Sequence, residues 1–193
     1  MDPIAEFRAL FAQAQAVDRL RLPDPTAMSL ATVGPNDAPS VRIVLLKGVD
    51  DRGFVFYTNL NSRKGRELTA TPRAALCFYW PALDIQIRVE GTVEPVSDAE
   101  ANAYFASRAR ESQIGAWASE QSEELSSMEE LRARVAAVEA RFANQPVPRP
   151  PHWSGRRVKP LSIEFWHAGE FRLHERRRYE RDGNGWTMRR LFP

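Results

Sequence analysis

The sequence predicts an α+β fold, mainly β, built as a curled sheet or small barrel with helices set to one side. Three observations predict it. Apolar runs of strand length recur along the chain, short turn segments separate most of them, and only a few stretches carry helical periodicity. The strict βα alternation of a dinucleotide-binding fold is missing. So is its glycine fingerprint, because Gly183 and Gly185 neither follow a strand that opens a helix nor have a third glycine.

Each element follows from local chemistry. Asp2 before Pro3 is a helix start, and Ile4, Phe7, Leu10, Phe11 and Ala14 share one face, which predicts a helix over about residues 3–17. Leu22-Pro23-Asp24-Pro25 closes that segment. Strands are expected at Ala27–Val33, Ser40–Val49 and Gly53–Thr58, parted by Gly34-Pro35-Asn36-Asp37 and Asp50-Asp51-Arg52. A short helix opens at Asn61 or Ser62, and Arg73–Trp80 with Ile85–Val93 reads as the next strand pair. Ser97 and Glu100 form a capping box for a helix running to about Arg108. Met128–Phe142 is a further helix, with Leu131, Val135, Val138 and Phe142 apolar. The proline-rich Gln145–Pro151 must be extended. Strands at Ser162–Trp166, Phe171–Arg181 and Trp186–Phe192 complete the chain, the last two joined by a turn at Gly183-Asn184-Gly185.

Size and composition narrow the function. The 193 residues suit one domain, and a formal net charge of +2 calls for no polyanionic partner. From Arg149 onward, eleven Arg or Lys stand against five Asp or Glu, a local excess suited to an anionic ligand or to a solvated surface. Cys77 is the one cysteine and lies in an apolar run, so it reads as a small buried hydrophobe. The N-terminus lacks the order of a signal peptide and no apolar run spans a bilayer, so the chain reads as cytoplasmic. His152, His167 and His174 have no metal-ligand spacing, and neither a nucleophile elbow nor a P-loop occurs. No metal is expected. The chemistry, if present, is that of an organic cofactor.

Four constellations remain. Arg63-Lys64 at a helix start can cradle a phosphate or be an exposed basic turn. Arg42 and Lys47, five apart on one strand, should face opposite ways unless a bulge, a strand end or a second subunit intervenes. Tyr104, Arg108 and Ser112 recur every four residues and form one stripe on a continuous helix. Arg172, His174 and Arg176 alternate on an expected strand, which puts two guanidiniums beside an imidazole and keeps the ring neutral.

Together these segments resemble the pyridoxamine 5'-phosphate oxidase family. The matching pieces are Arg42-Ile43-Val44-Leu45-Leu46-Lys47, Phe56-Tyr57-Thr58-Asn59, Ser62-Arg63-Lys64-Gly65, Ser112 to Ser119, Gln121-Ser122, Ile163-Glu164-Phe165-Trp166 and Arg172-Leu173-His174. The resemblance runs from about Asp24 to Pro193. It implies a single FMN-binding split β-barrel domain over 1–193, with residues 1–20 as an N-terminal helical segment and 146–193 as a dimerisation and substrate-contact segment. The partners it implies are a second copy of the chain, the small-molecule substrates and O2, with no nucleic acid and no membrane. FMN contacts carried over by position are Arg42, Ile43, Val44, Leu45, Leu46, Lys47, Tyr57, Thr58, Arg63, Lys64, Gln86, Gln121, Ser122, Trp166 and Arg176. Lys47, Tyr104, Arg108 and Ser112 would bind substrate phosphate, while Arg172, Leu173 and His174 would hold the pyridine ring, with Arg172 and His174 as the catalytic pair. The implied reaction moves hydride from substrate C4' to flavin N5, and O2 reoxidises the flavin. Pyridoxal 5'-phosphate and hydrogen peroxide result, with ammonia from the amine substrate.

Departures from the family pattern are Ile85, Ala109, Ser154, Arg156 and Glu175, and the basic arm before the first helix is absent. Three other readings compete: a related oxidase acting on a phenazine-type ring, a non-catalytic flavin or pyridoxal-phosphate binder, and a nucleic-acid binder using the basic C-terminal third.

Overall fold

The computed structural model describes residues 2–193. Asp2 caps α1 (Pro3–Ala16) by accepting from the Ile4 amide. Ile4, Phe7 and Ala14 are buried and Leu10 and Phe11 pack against the same core, so the apolar stripe does what its spacing demands. The strands are β1 (Ala27–Val33), β2 (Pro39–Leu45), β3 (Gly48–Asp50), β4 (Gly53–Asn59), β5 (Arg73–Trp80), β6 (Ile85–Pro95), β7 (Trp153–His167), β8 (Glu175–Asp182) and β9 (Gly185–Leu191). The helices after α1 are α2 (Arg63–Ala70), α3 (Asp98–Ala106), α4 (Arg110–Ala118) and α5 (Met128–Arg141).

Among the described residues all nine strands join one antiparallel sheet in the order β2-β1-β5-β6-β7-β4-β3, with β8 on β7 and β9 on β8. The outermost strands of that order, β2 and β3, are consecutive in the chain and separated only by Leu46 and Lys47. Three Cα–Cα steps reach at most about 11 Å, so the edges of the sheet must come together there. The sheet therefore curls into a barrel whose seam is crossed at Lys47, whose amide donates to Val55 O at 2.8 Å.

Inside the curl, Phe54, Phe56, Phe78, Trp80, Ile87 and Phe165 form the core. α1 closes it, its Phe7 ring 4.8 Å from Phe54 and 5.0 Å from Phe78. Period-two alternation sends the next residues outward: Tyr79, Gln86, Trp166 and Arg176 are successive cross-strand partners on the outer face.

Four expectations are corrected. The long strand Ser40–Val49 is two strands broken at the seam, because the Leu46 amide turns to Thr26 O and the Leu46 side chain enters the core. The strand expected from Phe171 starts only at Glu175, because Phe171 and Arg172 are left-handed (φ 52 and 64) within a 3-10 turn. Strand β7, expected from Ser162, begins nine residues earlier, at Trp153. Arg110–Ala118 forms a helix that had not been delimited.

Candidate active site

At the seam lies a cavity of about 500 Å³, within the range of small-molecule sites (about 300–1,000 Å³). It is lined by Ile43, Val44, Leu45 and Lys47 from the end of β2 and the seam, by Tyr57, Thr58, Asn59 and Lys64 from β4 and α2, and by Tyr104, Arg108, Ser112, Gly115, Ala116, Ser119, Gln121 and Trp153 from the α3–α4 region, the segment after it and the start of β7. Strand β2 pairs with β1 alone, so its other edge offers main-chain N–H and C=O groups beside the cavity.

Tyr104, Arg108 and Ser112 do line one cavity, but not as a stripe on one helix. α3 ends at Ala106 and α4 begins at Arg110, so Arg108 sits in the joint between them. Ser97 and Glu100 form the expected capping box for α3. Tyr104 stacks on Tyr57 at 4.0 Å, and Tyr57 stacks on Trp153 at 5.2 Å. The Arg108 guanidinium lies 4.8 Å from the Trp153 ring centroid and 5.6 Å from that of Phe105. Its Nη1 is buried with no hydrogen-bond partner, and burial lowers its pKa. A buried donor without an acceptor is costly, so this atom is open to an acceptor that enters the cavity.

At the other end, Ser62 caps α2 by accepting from the Gly65 amide, which places Lys64 in the first turn. Lys64 Nζ donates to Gln121 Oε1 at 2.9 Å and to Thr58 Oγ1 at 3.3 Å. Burial lowers its pKa, and the nearby Arg42 adds to that effect. Arg42 and Arg63 do not line the cavity; both reach the buried Glu67, at 3.2 and 2.9 Å. Three cations thus gather around the α2 N-terminus.

Gln86, Ser122, Trp166, Arg172, Leu173, His174 and Arg176 are not brought to this cavity. Gln86, Trp166 and Arg176 lie side by side on the outer face, and the His174 ring is 4.5 Å from Trp166. The Gly169 amide donates to His174 Nδ1 at 3.2 Å, so Nδ1 is an acceptor and the neutral ring carries its proton on Nε2. Arg172 and Leu173 are exposed, and Ser122 is exposed with φ 77. The outer face also exposes Val41, Ile43 and Tyr79. A second copy packed there would bring a second group of residues to each cavity.

Asn59, Gly115, Ala116, Ser119 and Trp153 line the cavity without having been assigned to it. All except Trp153 belong to the matching segments, which was the available signal; Trp153 stood hidden between prolines and the Arg156-Arg157 pair. None of the departures lines the cavity. Ile85 is buried in the barrel core, opposite in direction to Gln86, and Arg156 donates to Thr69 Oγ1 at 3.2 Å. The cation set, the stacking rings and the free β2 edge fit a flavin nucleotide.

Residues 14–142 match the pyridoxamine 5'-phosphate oxidase family, and residues 153–193 match the pyridoxine 5'-phosphate oxidase C-terminal dimerisation region. The pyridoxine/pyridoxamine 5'-phosphate oxidase of Myxococcus xanthus (strain DK1622) is 61% identical over 192 residues, covering 100% of this chain and 92% of that protein. Its namesake from Rhodospirillum rubrum is 56% identical over 197 residues, covering 100% and 96%. Among solved structures, PhzG from Burkholderia lata 383, in complex with tetrahydrophenazine-1-carboxylic acid, superposes with TM-score 0.92 at 38% identity, covering 100% and 93%. A pyridoxamine 5'-phosphate oxidase-related, FMN binding protein from Nostoc punctiforme PCC 73102 shares the fold, with TM-score 0.77 at 18% identity. With both halves of the family pattern matched and full-length relatives above 50% identity, the chain belongs to the pyridoxamine 5'-phosphate oxidase family.

Proposed function

We propose that this protein is an FMN-dependent oxidase that converts pyridoxine 5'-phosphate and pyridoxamine 5'-phosphate to pyridoxal 5'-phosphate, with O2 as electron acceptor. Hydrogen peroxide is released, and ammonia as well when the substrate is the amine. The observation that carries this reading is the buried, unpartnered Nη1 of Arg108, in a cavity it shares with Lys47, Tyr104 and Ser112. A guanidinium, an ammonium, a phenol and a hydroxyl together are a receptor for a phosphate monoester. A phenazine-type substrate without a phosphate would leave them unused, which argues against that alternative.

Bound FMN supplies a two-electron acceptor that O2 can reoxidise. The chain's own residues bind and orient. Lys64, Arg63 and Arg42, with Thr58 and Gln121, would hold the flavin phosphate, and Ile43 to Lys47 would meet the flavin along the end of β2 and the seam that follows it. Tyr57 would complete the contacts on this side; Ser122, exposed and outside the cavity, would join them only on the resemblance of Gln121-Ser122 to the family. Gln86, Trp166 and Arg176 of a second copy would close over the flavin. Arg172, Leu173 and His174 would hold the pyridine ring, with His174 donating through Nε2. The active form on this reading is a homodimer of single-domain chains, supported by the match of residues 153–193 to the dimerisation region. Among the described residues no helix is long and apolar enough to cross a membrane. We place the enzyme in the cytoplasm.

The test is to add pyridoxine 5'-phosphate anaerobically to the flavin-loaded protein and then admit air. The flavin absorbance should bleach and return as pyridoxal 5'-phosphate forms. A flavin that stays oxidised would refute this oxidase and leave another ring substrate or a binding role.

A further inference from the structure

Beside the cavity, among the three cations at the α2 N-terminus, lies one buried carboxylate that the proposed reaction does not use. The Glu67 side chain is 3% exposed. Its Oε2 accepts from Thr32 Oγ1, from Ser40 Oγ at 2.7 Å and from Arg42 Nη2 at 3.2 Å; its Oε1 accepts from Arg63 Nε at 2.9 Å. The donors come from β1, β2 and α2, so this one group ties the edge strand of the cavity to the helix whose N-terminus carries Lys64. Taking a carboxylate out of water is costly, and the cost is met only when hydrogen bonds and opposite charge compensate it. An apolar side chain would fill the same space without that penalty. What a carboxylate adds is direction.

That direction is specific. Arg42 is held from several sides, donating also to Leu30 O, to Thr32 Oγ1 and to Ser40 Oγ. Arg63 is held by its Nε alone, and its two Nη groups donate to no protein group among the described residues. Lys64 lies next to it in the first turn of α2. Three cations crowded together repel one another unless an anion sits among them.

We propose that Glu67 is a positioning residue for the phosphate of FMN, gripping Arg42 and Arg63 so that the free Nη donors of Arg63 and the Lys64 ammonium meet one anion. It also holds the cations together before that anion arrives. The proposal rests on the reading of Arg42, Arg63 and Lys64 as flavin-phosphate ligands. The depressed pKa of Glu67, about 2, agrees with a carboxylate that stays charged there.

The test compares FMN with riboflavin, which lacks the phosphate, binding to flavin-free full-length protein by quenching of flavin fluorescence. Glu67→Gln should weaken FMN binding about tenfold, the size of one charge-assisted hydrogen bond, and leave riboflavin binding within about twofold. Glu67→Asp keeps the buried charge but withdraws it by one methylene; it should lose about threefold for FMN only, and it carries the test if the Gln variant does not fold. Equal weakening of both flavins would mean a purely structural Glu67 and would overturn the proposal, as would unchanged or tighter FMN binding. A wild-type protein that does not prefer FMN to riboflavin would instead refute the phosphate-ligand reading itself, and the proposal with it.

Discussion

The guanidinium of Arg108 lies 4.8 Å from the Trp153 ring centroid, and its Nη1 is buried without a hydrogen-bond partner. The indole holds the cation in place from one side but accepts no hydrogen bond in the plane of the guanidinium. On the proposed reading the acceptor is the substrate's phosphate.

Arg108→Met should therefore cost function and not stability. The KM for pyridoxine 5'-phosphate should rise by about 2 kcal/mol, roughly 30-fold, while FMN content is unchanged. Thermal denaturation of the variant should occur at or above the wild-type temperature, since an unpaired buried donor is removed. A variant that loses FMN or unfolds early would contradict the assignment.

Glu67 predicts how the protein responds to acid. Burial pushes its carboxyl pKa up, but hydrogen bonds from Thr32, Ser40, Arg63 and Arg42 outweigh this and bring it to about 2 from an ordinary 4.5. Because the folded value is the lower one, its stabilisation is full above 4.5 and is lost as the pH falls toward 2. Urea denaturation across that window should show wild-type stability falling by up to about 3 kcal/mol more than that of Glu67→Gln.

Gly115 lies in α4 on the cavity wall, and a Cβ built there meets nothing within 4 Å. Gly115→Ala should raise stability by about 0.5–1 kcal/mol, because alanine is the better helix former. Gly115→Leu should keep the fold but fill part of the cavity, raising KM or lowering flavin affinity. Differential scanning calorimetry and steady-state kinetics on the two variants separate these effects.

Arg157, 2% exposed, bonds Asp50 at 2.6 Å and Glu100 at 2.7 Å, joining β7 to β3 and to the first turn of α3. Arg157→Leu should destabilise by about 2–4 kcal/mol in chemical denaturation. Because α3 also carries Tyr104, the KM for the phosphorylated substrate should rise in the surviving folded fraction.

A Cβ at Gly169 would stand 2.1 Å from Leu173 O, and the same residue's amide holds His174. Gly169→Ala should displace the 169–174 turn, lowering kcat while the flavin spectrum stays normal. A kcat equal to wild type would show that this turn has no part in catalysis.

Much of the fold was legible because its signals are local. The α1 stripe, the Ser62 and Ser97 caps, the β5–β6 pairing and the Gly183 turn all depend on residues within a few positions of one another. The errors arose where distant partners decide. Nothing near Leu46 announces that its amide bonds Thr26, and nothing near Phe171 announces a left-handed backbone that returns the chain to Gly169. The start of β7 was missed because the basic pair Arg156-Arg157 masks a strand whose Arg157 is buried against carboxylates from two other elements.

By itself the sequence determined the family and the cofactor class and named the candidate binding groups, since these rest on residue types in a fixed order. Only the tertiary structure decided which of them share a cavity. It set Arg108 at a helix joint, turned Arg42 and Arg63 onto Glu67, and left Gln86, Trp166 and His174 on an outer face. The reason is physical: side-chain direction depends on where strands break and which distant group satisfies each buried charge, and both are settled only when the whole sheet has closed.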